Sequence, residues 1–307
     1  MIYINTVLEK NPNIKRPNTD EYMISMSDVI FKAIIQDPKF RRLLSLILSE
    51  VTNYSPSFIY DNLIFVNTEL PVENKNERQK ITDILATVDG GVINIEANRF
   101  LNKSTSSKNN LYHHKIAYDR YLKGMKIDDC EIIQINFNTV KRYGDKLFNQ
   151  FTLKSDDGKY TDEENFKRIH INMANPWEKY YNYGKEVLSK VEKALVMFQL
   201  IKRKEVKELA KGDDDLEIMA KIIDDLNEDE NIIGLYDKEQ MDEWMHNIDL
   251  NEAQNEGIEQ GTRIGVEQGS KNKALEIAKN MLQMNMDIGI ISKATGLSEK
   301  EINELKS

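Results

Sequence analysis

The chain should fold as an α/β protein, a mixed sheet flanked by helices and followed by an all-helical C-terminal region. Three observations predict this. After a leading helical pattern, strand and helix signals follow in the order strand, strand, strand, helix, strand, which calls for a sheet with both parallel and antiparallel pairs. In KITDILATVDGGVINIEANRF, residues 80–100, an Asp-Gly-Gly turn separates two apolar runs, the pattern of a hairpin. From Trp177 almost to the end, the spacing of apolar residues is helical.

The 307 residues, 40 % of them hydrophobic, suffice for one sizeable core and smaller modules. Three are expected: a sheet-bearing core over 1–176, an acidic helical region over 177–255, and a Gly-repeat helix with a terminal helical hairpin over 256–307. No run is apolar enough to span a membrane, and the opening MIYINTVLEKNPNIKRPN places charges where a signal peptide is apolar, so a cytoplasmic protein is expected. With Cys130 as the one cysteine, neither an internal disulfide nor a cysteine zinc site can form.

Each element has a local cause. Ser27 caps a helix carrying Ile30, Phe31, Ile34 and Ile35, which should stop near Asp37. Asp37-Pro38 then reads as the start of a second helix through Leu43, Leu44, Ile47 and Leu48. FIYDNLIFVNTEL is rich in β-branched and aromatic residues and predicts a strand. The hairpin follows, then a helix over 104–123 ending before Gly124. EIIQINFNTV predicts another strand with one nearly continuous apolar face, and FTLKSDDGKY with FKRIHINMANP predicts a further hairpin or edge extension. Gly257, Gly261, Gly265 and Gly269 recur every four residues. Each costs a helix about 1 kcal/mol relative to Ala, so either close approach of a second helix offsets the loss, giving a homo-oligomer, or the stretch is a flexible linker. The last segment should end one helix near Thr295, use Gly296 as the stop, and restart at Ser298 with Glu301 completing a capping box. Such a hairpin either reads DNA or docks a partner, and its near-zero charge favours docking.

Charge is unevenly distributed. Of the net −9, residues 212–256 contribute 16 acids against 2 bases and residues 257–307 balance at seven each, leaving +5 for residues 1–211. Within 99–126 stand Arg99, Lys103, Lys108, Lys115, Arg120, Lys123 and Lys126 against Asp119. The strip is either a solvated face or a set of phosphate contacts, with Arg99, Lys103, Lys108 and Lys115 as the DNA-binding candidates. The acidic block could also cover it.

If Asp89-Gly90 forms a two-residue type I′ turn, Val88 faces Gly91 and Asp83 lies opposite Glu96. Directly opposed residues share a face of the sheet, and two like charges there are unfavourable. A divalent cation resolves the conflict, because carboxylate oxygens from adjacent strands supply half of an Mg²⁺ site. Asn94, Glu96 and Asn98 share that face, while Ile93, Ile95 and Ala97 pack behind it. A solvated hairpin face is the alternative.

SDVIFK, VNTEL, TDILA, INIEANR and YHHKIAYDRYLKG, in this order, resemble the PD-(D/E)xK nuclease superfamily, and within it the recombination-promoting, Rpn-type nuclease and transposase branch. LYDKEQMDEW, the EGIEQG repeats and TGLSEKEI are similar to that family's tail. The resemblance implies a restriction-endonuclease-like core in which an Asp and a Glu bind Mg²⁺ (or Mn²⁺) and water is activated to hydrolyse a DNA phosphodiester. It would make Asp83 and Glu96 the catalytic and metal-binding pair, and Asp28 a third metal carboxylate. Asn98 stands where the superfamily commonly has Lys and this branch often Gln. Asn98 would orient the water, and Lys80 or Lys32 would supply the missing charge, unless both are solvated surface lysines. The bland reading of Asp28 is an acid at a helix N-terminus paired with Lys32. The expected function is an Mg²⁺-dependent DNA endonuclease associated with transposition or recombination; the alternative is an inactive nuclease-like scaffold that binds DNA or protein. His113 and His114 are adjacent and have no ligand spacing, and Tyr112, Tyr118 and Tyr121 are assigned to core packing.

Overall fold

A computed structural model describes residues 20–67, 69–70, 80–99, 103–122, 131–141, 143–162 and 164–305. The chain divides into two compact units, Met1–Gln240 and Met241–Ser307. Cys130 and Gly124 lie outside the described residues, as do the side chains of Lys80, Lys103 and Tyr121. Among the described residues no helix is long and apolar enough to cross a membrane.

The first unit opens with α1 (Asp28–Gln36), whose cap Ser27 accepts from the Ile30 amide. α2 (Arg41–Ser49) begins three residues later than the Asp37-Pro38 signal predicts, because residues 38–40 form a turn whose first amide, Lys39 N, is taken by the Asp37 carboxylate. The strand predicted over FIYDNLIFVNTEL is corrected: its first half is α3 (Pro56–Asn62). There Ser55 accepts from the Phe58 amide and Pro56 sits at the first helical turn, and these start signals outweigh the β preference of Phe58, Ile59 and Tyr60. β1 (Ile64–Val66), β2 (Glu69–Leu70), β3 (Lys80–Ile81), β4 (Ile84–Val88) and β5 (Gly91–Asn98) follow, then α4 (Lys103–Leu122) and β6 (Ile132–Asn138). β7 (Phe148–Phe151), the short hairpin of β8 (Leu153–Lys154) with β9 (Thr161–Asp162), and β10 (Phe166–Asn172) complete the strands.

The main sheet is mixed and six-stranded, in the order β1-β4-β5-β6-β10-β7. β5, β6 and β10 run parallel at its centre, and β4 and β7 flank them antiparallel. FKRIHIN is therefore an interior strand, while FNQF is the edge extension. The predicted register is the observed one: Val88 faces Gly91, and Asp89 and Gly90 have φ of 49° and 80°, as a type I′ turn requires.

The two faces of the sheet differ in chemistry. Ile93, Ile95, Ile133, Ile135, Phe137, Ile169 and Ile171 face the main core. Helices α1 and α2, with α5 (Ala174–Tyr183), α6 (Lys190–Met197), α7 (Arg203–Ala210) and α8 (Asp214–Glu228), complete this core. At its centre Phe31 meets Phe137 and Phe198 at 5.3 and 5.5 Å, the separation of favourable edge-on and tilted ring pairs. The other face carries α4 and is mostly polar. The acidic helices do not screen the basic strip with these acids: Asp213 and Asp215 pair with Lys190, and Asp224 with Arg203 and Lys207.

α9 (Glu230–Gln283) begins in the first unit. Its first turns anchor α1: Glu239 accepts from the Asp28 and Val29 amides at 2.8 and 3.2 Å, and the Tyr236 hydroxyl from the Ile24 amide at 3.3 Å. A carboxylate on those unpaired amides satisfies both the hydrogen bonds and the helix dipole.

In the second unit, α10 (Ile288–Thr295) and α11 (Glu299–Glu304) form the predicted hairpin, with Gly296 left-handed at φ 74° and a complete Ser298–Glu301 capping box. Its core is Ala278, Ile291, Leu297 and Ile302. Gly296→Ala is expected to destabilise this unit by ~1 kcal/mol, the cost of a Cβ in the left-handed region, read by thermal melting of the full chain. Gly257, Gly261, Gly265 and Gly269 lie within α9, and no described atom stands within 4 Å of where a Cβ would project from any of them. The close approach expected of that stripe is thus not made within the described residues.

Candidate active site

Period-2 alternation and parallel register together produce rows of side chains under α4. Asn94, Gln134 and Arg168 form one row, Glu96, Asn136 and His170 the next, and Asn98, Asn138 and Asn172 the third. All six residues of β5 and β6 in these rows are buried. The polar face is thus no solvated surface but an interior lined with amides. Gln134, Asn136 and Asn138 were legible as the polar phase of IIQINFN, a signal that reading the strand for its apolar face passes over.

The amides bond mainly to one another and to the backbone. Asn109 on α4 donates to Asn98 Oδ1 at 3.1 Å and Asn136 Oδ1 at 2.9 Å, and its carbonyl accepts from Gln134 at 2.7 Å. Asn98 Nδ2 donates to Asn138 Oδ1 at 3.0 Å. Asn98, expected to orient a water, has its amide engaged by protein at both ends, because β6 and α4 each bring an amide against it.

On the β4 side of this ladder stand the two acids. Carrying the hairpin register one step past Ile84↔Ile95 sets Asp83 opposite Glu96. Asp83 Oδ2 accepts from the Ala97 amide at 2.7 Å, which ties it to β5. Glu96 is fully buried; Asn94 Nδ2 donates to its Oε1 at 3.0 Å, and its Oε2 has no partner among the described residues. Burial, followed by the nearby charge of Asp83, pushes the Glu96 carboxyl up to about 8. Burial likewise raises Asp83. The pair therefore retains a proton near neutrality.

Positive charge comes from two helices. Burial opposes the charge on Lys108 of α4, but the Asp83 and Glu96 carboxylates outweigh it and raise its pKa. Lys108 is in turn the leading group that draws both acids back toward ionisation, with Lys32 of α1 a lesser one. Its ammonium also lies 5.2 Å from the centre of the Tyr112 ring. Sequence reasoning placed Lys108 only among DNA contacts and missed its service to the carboxylates, since one residue's difference in helical phase decides which way it points.

The remaining candidates divide. Lys32 Nζ pairs with Asp28 Oδ1 at 2.9 Å, the bland reading of Asp28, while the Lys32 charge also reaches Asp83 and Glu96. The described residues contain no group of three or more His, Cys, Asp or Glu able to hold a metal ion, although the charge of Asp28 reaches Asp83 and, after burial, adds to the rise of its pKa. Lys115, expected as a phosphate contact, pairs with Asp119 at 3.3 Å, with the two side chains only 10 % and 11 % exposed. Arg99 is half-buried just past β5. Tyr118 is corrected as a core residue, being 47 % exposed beside Lys115, whereas Tyr112 packs against the small cluster of Leu85, Val92, Ile116 and Ile132.

The donor set fits a hard divalent cation. Carboxylate oxygens are its preferred ligands, and a buried Glu96 oxygen without a partner is an acceptor that a cation can satisfy.

Searches of curated proteins and of solved structures return no match. Residues 271–307, which contain α10 and α11, match the family model described as the C-terminal HTH domain of the Rpn/YhgA-like nuclease family. The docking role favoured on charge for this hairpin thus meets a similarity to a helix-turn-helix domain.

Proposed function

We propose that the chain is a divalent-metal-dependent DNA endonuclease of the Rpn type, acting in transposition or recombination, with Asp83 and Glu96 holding Mg²⁺ or Mn²⁺. The observation that carries this reading is the buried, mutually repelling acid pair on adjacent strands, attended by Lys108 and Lys32. The bound cation would lower the pKa of a water and neutralise charge on the scissile phosphate. Asp83 and Glu96 would hold the cation as carboxylates, so binding would release the proton that burial retains on the pair near neutrality. Lys108 and Lys32 lower the cost of ionising both acids and present positive charge where the phosphate charge develops. The amide ladder fixes β5 against β6 and α4, so that Glu96 is held by its backbone and by Asn94. The likeness of residues 271–307 to an Rpn/YhgA-like HTH domain supports DNA as the partner, and the open Gly stripe of α9 would serve as a self-association face.

A second reading, a DNA-binding scaffold that does not cut, is favoured by the engaged Asn98 amide. Supercoiled plasmid incubated with the purified chain separates the two. Nicked or linear product with Mg²⁺ or Mn²⁺, abolished by a chelator, is expected; retention of DNA without product under every metal condition would install the scaffold instead.

A further inference from the structure

On the far side of α4 from the acid pair, a cleft of about 330 Å³ opens between α4, β10 and the β7–β8 region. Its walls include His113, His114, Phe151, Phe166 and Arg168. His113 stacks on Phe166 with ring centres 3.8 Å apart and planes 21° from parallel, and His114 lies 5.2 Å from the same ring. Phe151, the register neighbour of Arg168 on β7, is 43 % exposed.

Two groups in this cleft lack the partners that burial demands. Among the described residues, Arg168 has no carboxylate against it and its Nε is buried without an acceptor. Burial pushes its pKa down, the response of a guanidinium losing water without gaining an anion. His113 is fully buried with neither ring nitrogen bonded, and burial first, then Arg168, lowers its pKa to about 2. It is therefore neutral and offers one donor and one acceptor. A desolvated cation without an acid is costly, and a buried polar ring without a partner is costly again. One occupant relieves both deficits: a planar ring against the aromatic wall, with hydrogen-bonding edge atoms and a negative group at the guanidinium.

We propose that this cleft binds a nucleoside monophosphate, its base against His114, Phe166 and Phe151 and its phosphate at Arg168. The size suits a single nucleotide and excludes a duplex. Ring stacking on aromatic side chains is tolerant of base identity, and arginine is the side chain best matched to a phosphate. The occupant is either a free mononucleotide or the phosphorylated end of a DNA strand. The proposal does not rest on the metal-centre reading and stands even if the chain cuts nothing.

Calorimetric titration of the full chain with deoxyadenosine monophosphate tests it. Binding is expected, with deoxyadenosine and inorganic phosphate each at least tenfold weaker. Arg168→Met should weaken the nucleotide at least tenfold. His114→Ala and Phe151→Leu, at exposed positions where folding is not at stake, should each weaken it several-fold. Asp83→Ala should leave it unchanged, which separates this cleft from the acid pair. A 5′-phosphorylated single-stranded oligonucleotide that displaces the nucleotide, where its unphosphorylated counterpart does not, identifies the strand end as the source. Displacement by neither identifies a free nucleotide. Absence of nucleotide binding at millimolar concentration, or binding indifferent to Arg168→Met and to both aromatic variants, overturns the proposal.

Discussion

Glu96→Gln is expected to abolish metal-dependent cleavage and at the same time to flatten the pH dependence of stability in the metal-free chain. Burial and the neighbouring Asp83 hold Glu96 near 8 in the folded state, against an ordinary value of 4.5. Its folded pKa is raised, so between about 4.5 and 8 the folded chain binds the proton that the unfolded chain has released. The contribution of this residue is complete at the acid end of that window and is lost as pH rises through it. The loss is on the order of a few kcal/mol across the window. Gln keeps the acceptor that Asn94 Nδ2 uses and has no proton to lose. Thermal melting of the metal-free chain from pH 5 to pH 8.5 should therefore show a falling midpoint in the parent and a flatter one in the variant. Added Mg²⁺ should stabilise the parent more at pH 8 than at pH 6, and should leave the variant nearly unmoved. Parallel pH slopes for parent and variant would show that Glu96 does not carry the raised pKa.

Lys108→Met is expected to lower cleavage at pH 7 by roughly 10–100-fold while leaving the fold intact, since the residue as a whole is exposed on α4 and it is its ammonium end that meets the acids and the Tyr112 ring. Lys108 is the largest opposing charge on both acids. Without it the pair holds its proton to higher pH, so the rising limb of the pH–rate profile should move upward by about one unit. Lys108→Arg should restore much of the rate and return the limb toward its original position. A uniform loss with an unmoved pH profile would assign Lys108 to DNA contact alone, as the charge of the strip first implied.

What was legible in the sequence was what is set locally. Asp89-Gly90 dictates the type I′ turn and with it the register that opposes Asp83 to Glu96. Ser27, Gly296 and the Ser298–Glu301 pair mark helix ends by the hydrogen bonds they make. The errors fall where local signals compete or where partners are remote. Phe58, Ile59 and Tyr60 favour a strand until Ser55 and Pro56 start a helix beneath them. FKRIHIN could not be placed inside the sheet because its partner, β6, is parallel and distant in sequence. Lys115 counted as basic charge, although Asp119 one turn later absorbs it. In the candidate site the acids were visible as an opposed pair, whereas the lysine that answers them and the amides beneath them depend on the phase of α4 over two strands.

Those amides set the electrical character of the floor on which the acids rest. Asn94, Asn98, Asn109, Gln134, Asn136 and Asn138 are buried and largely bonded to one another or to the backbone, with the side-chain oxygens of Asn94, Asn109 and Gln134 left without a partner among the described residues, and none of the six ionises in the physiological range. A floor of this kind keeps its dipoles whatever the acidity of the medium. Beside these amides the groups that can exchange a proton are the acid pair at one end of the middle row and His170 at the other, so a change of charge at the acids would meet fixed dipoles underneath and not a second ionising group.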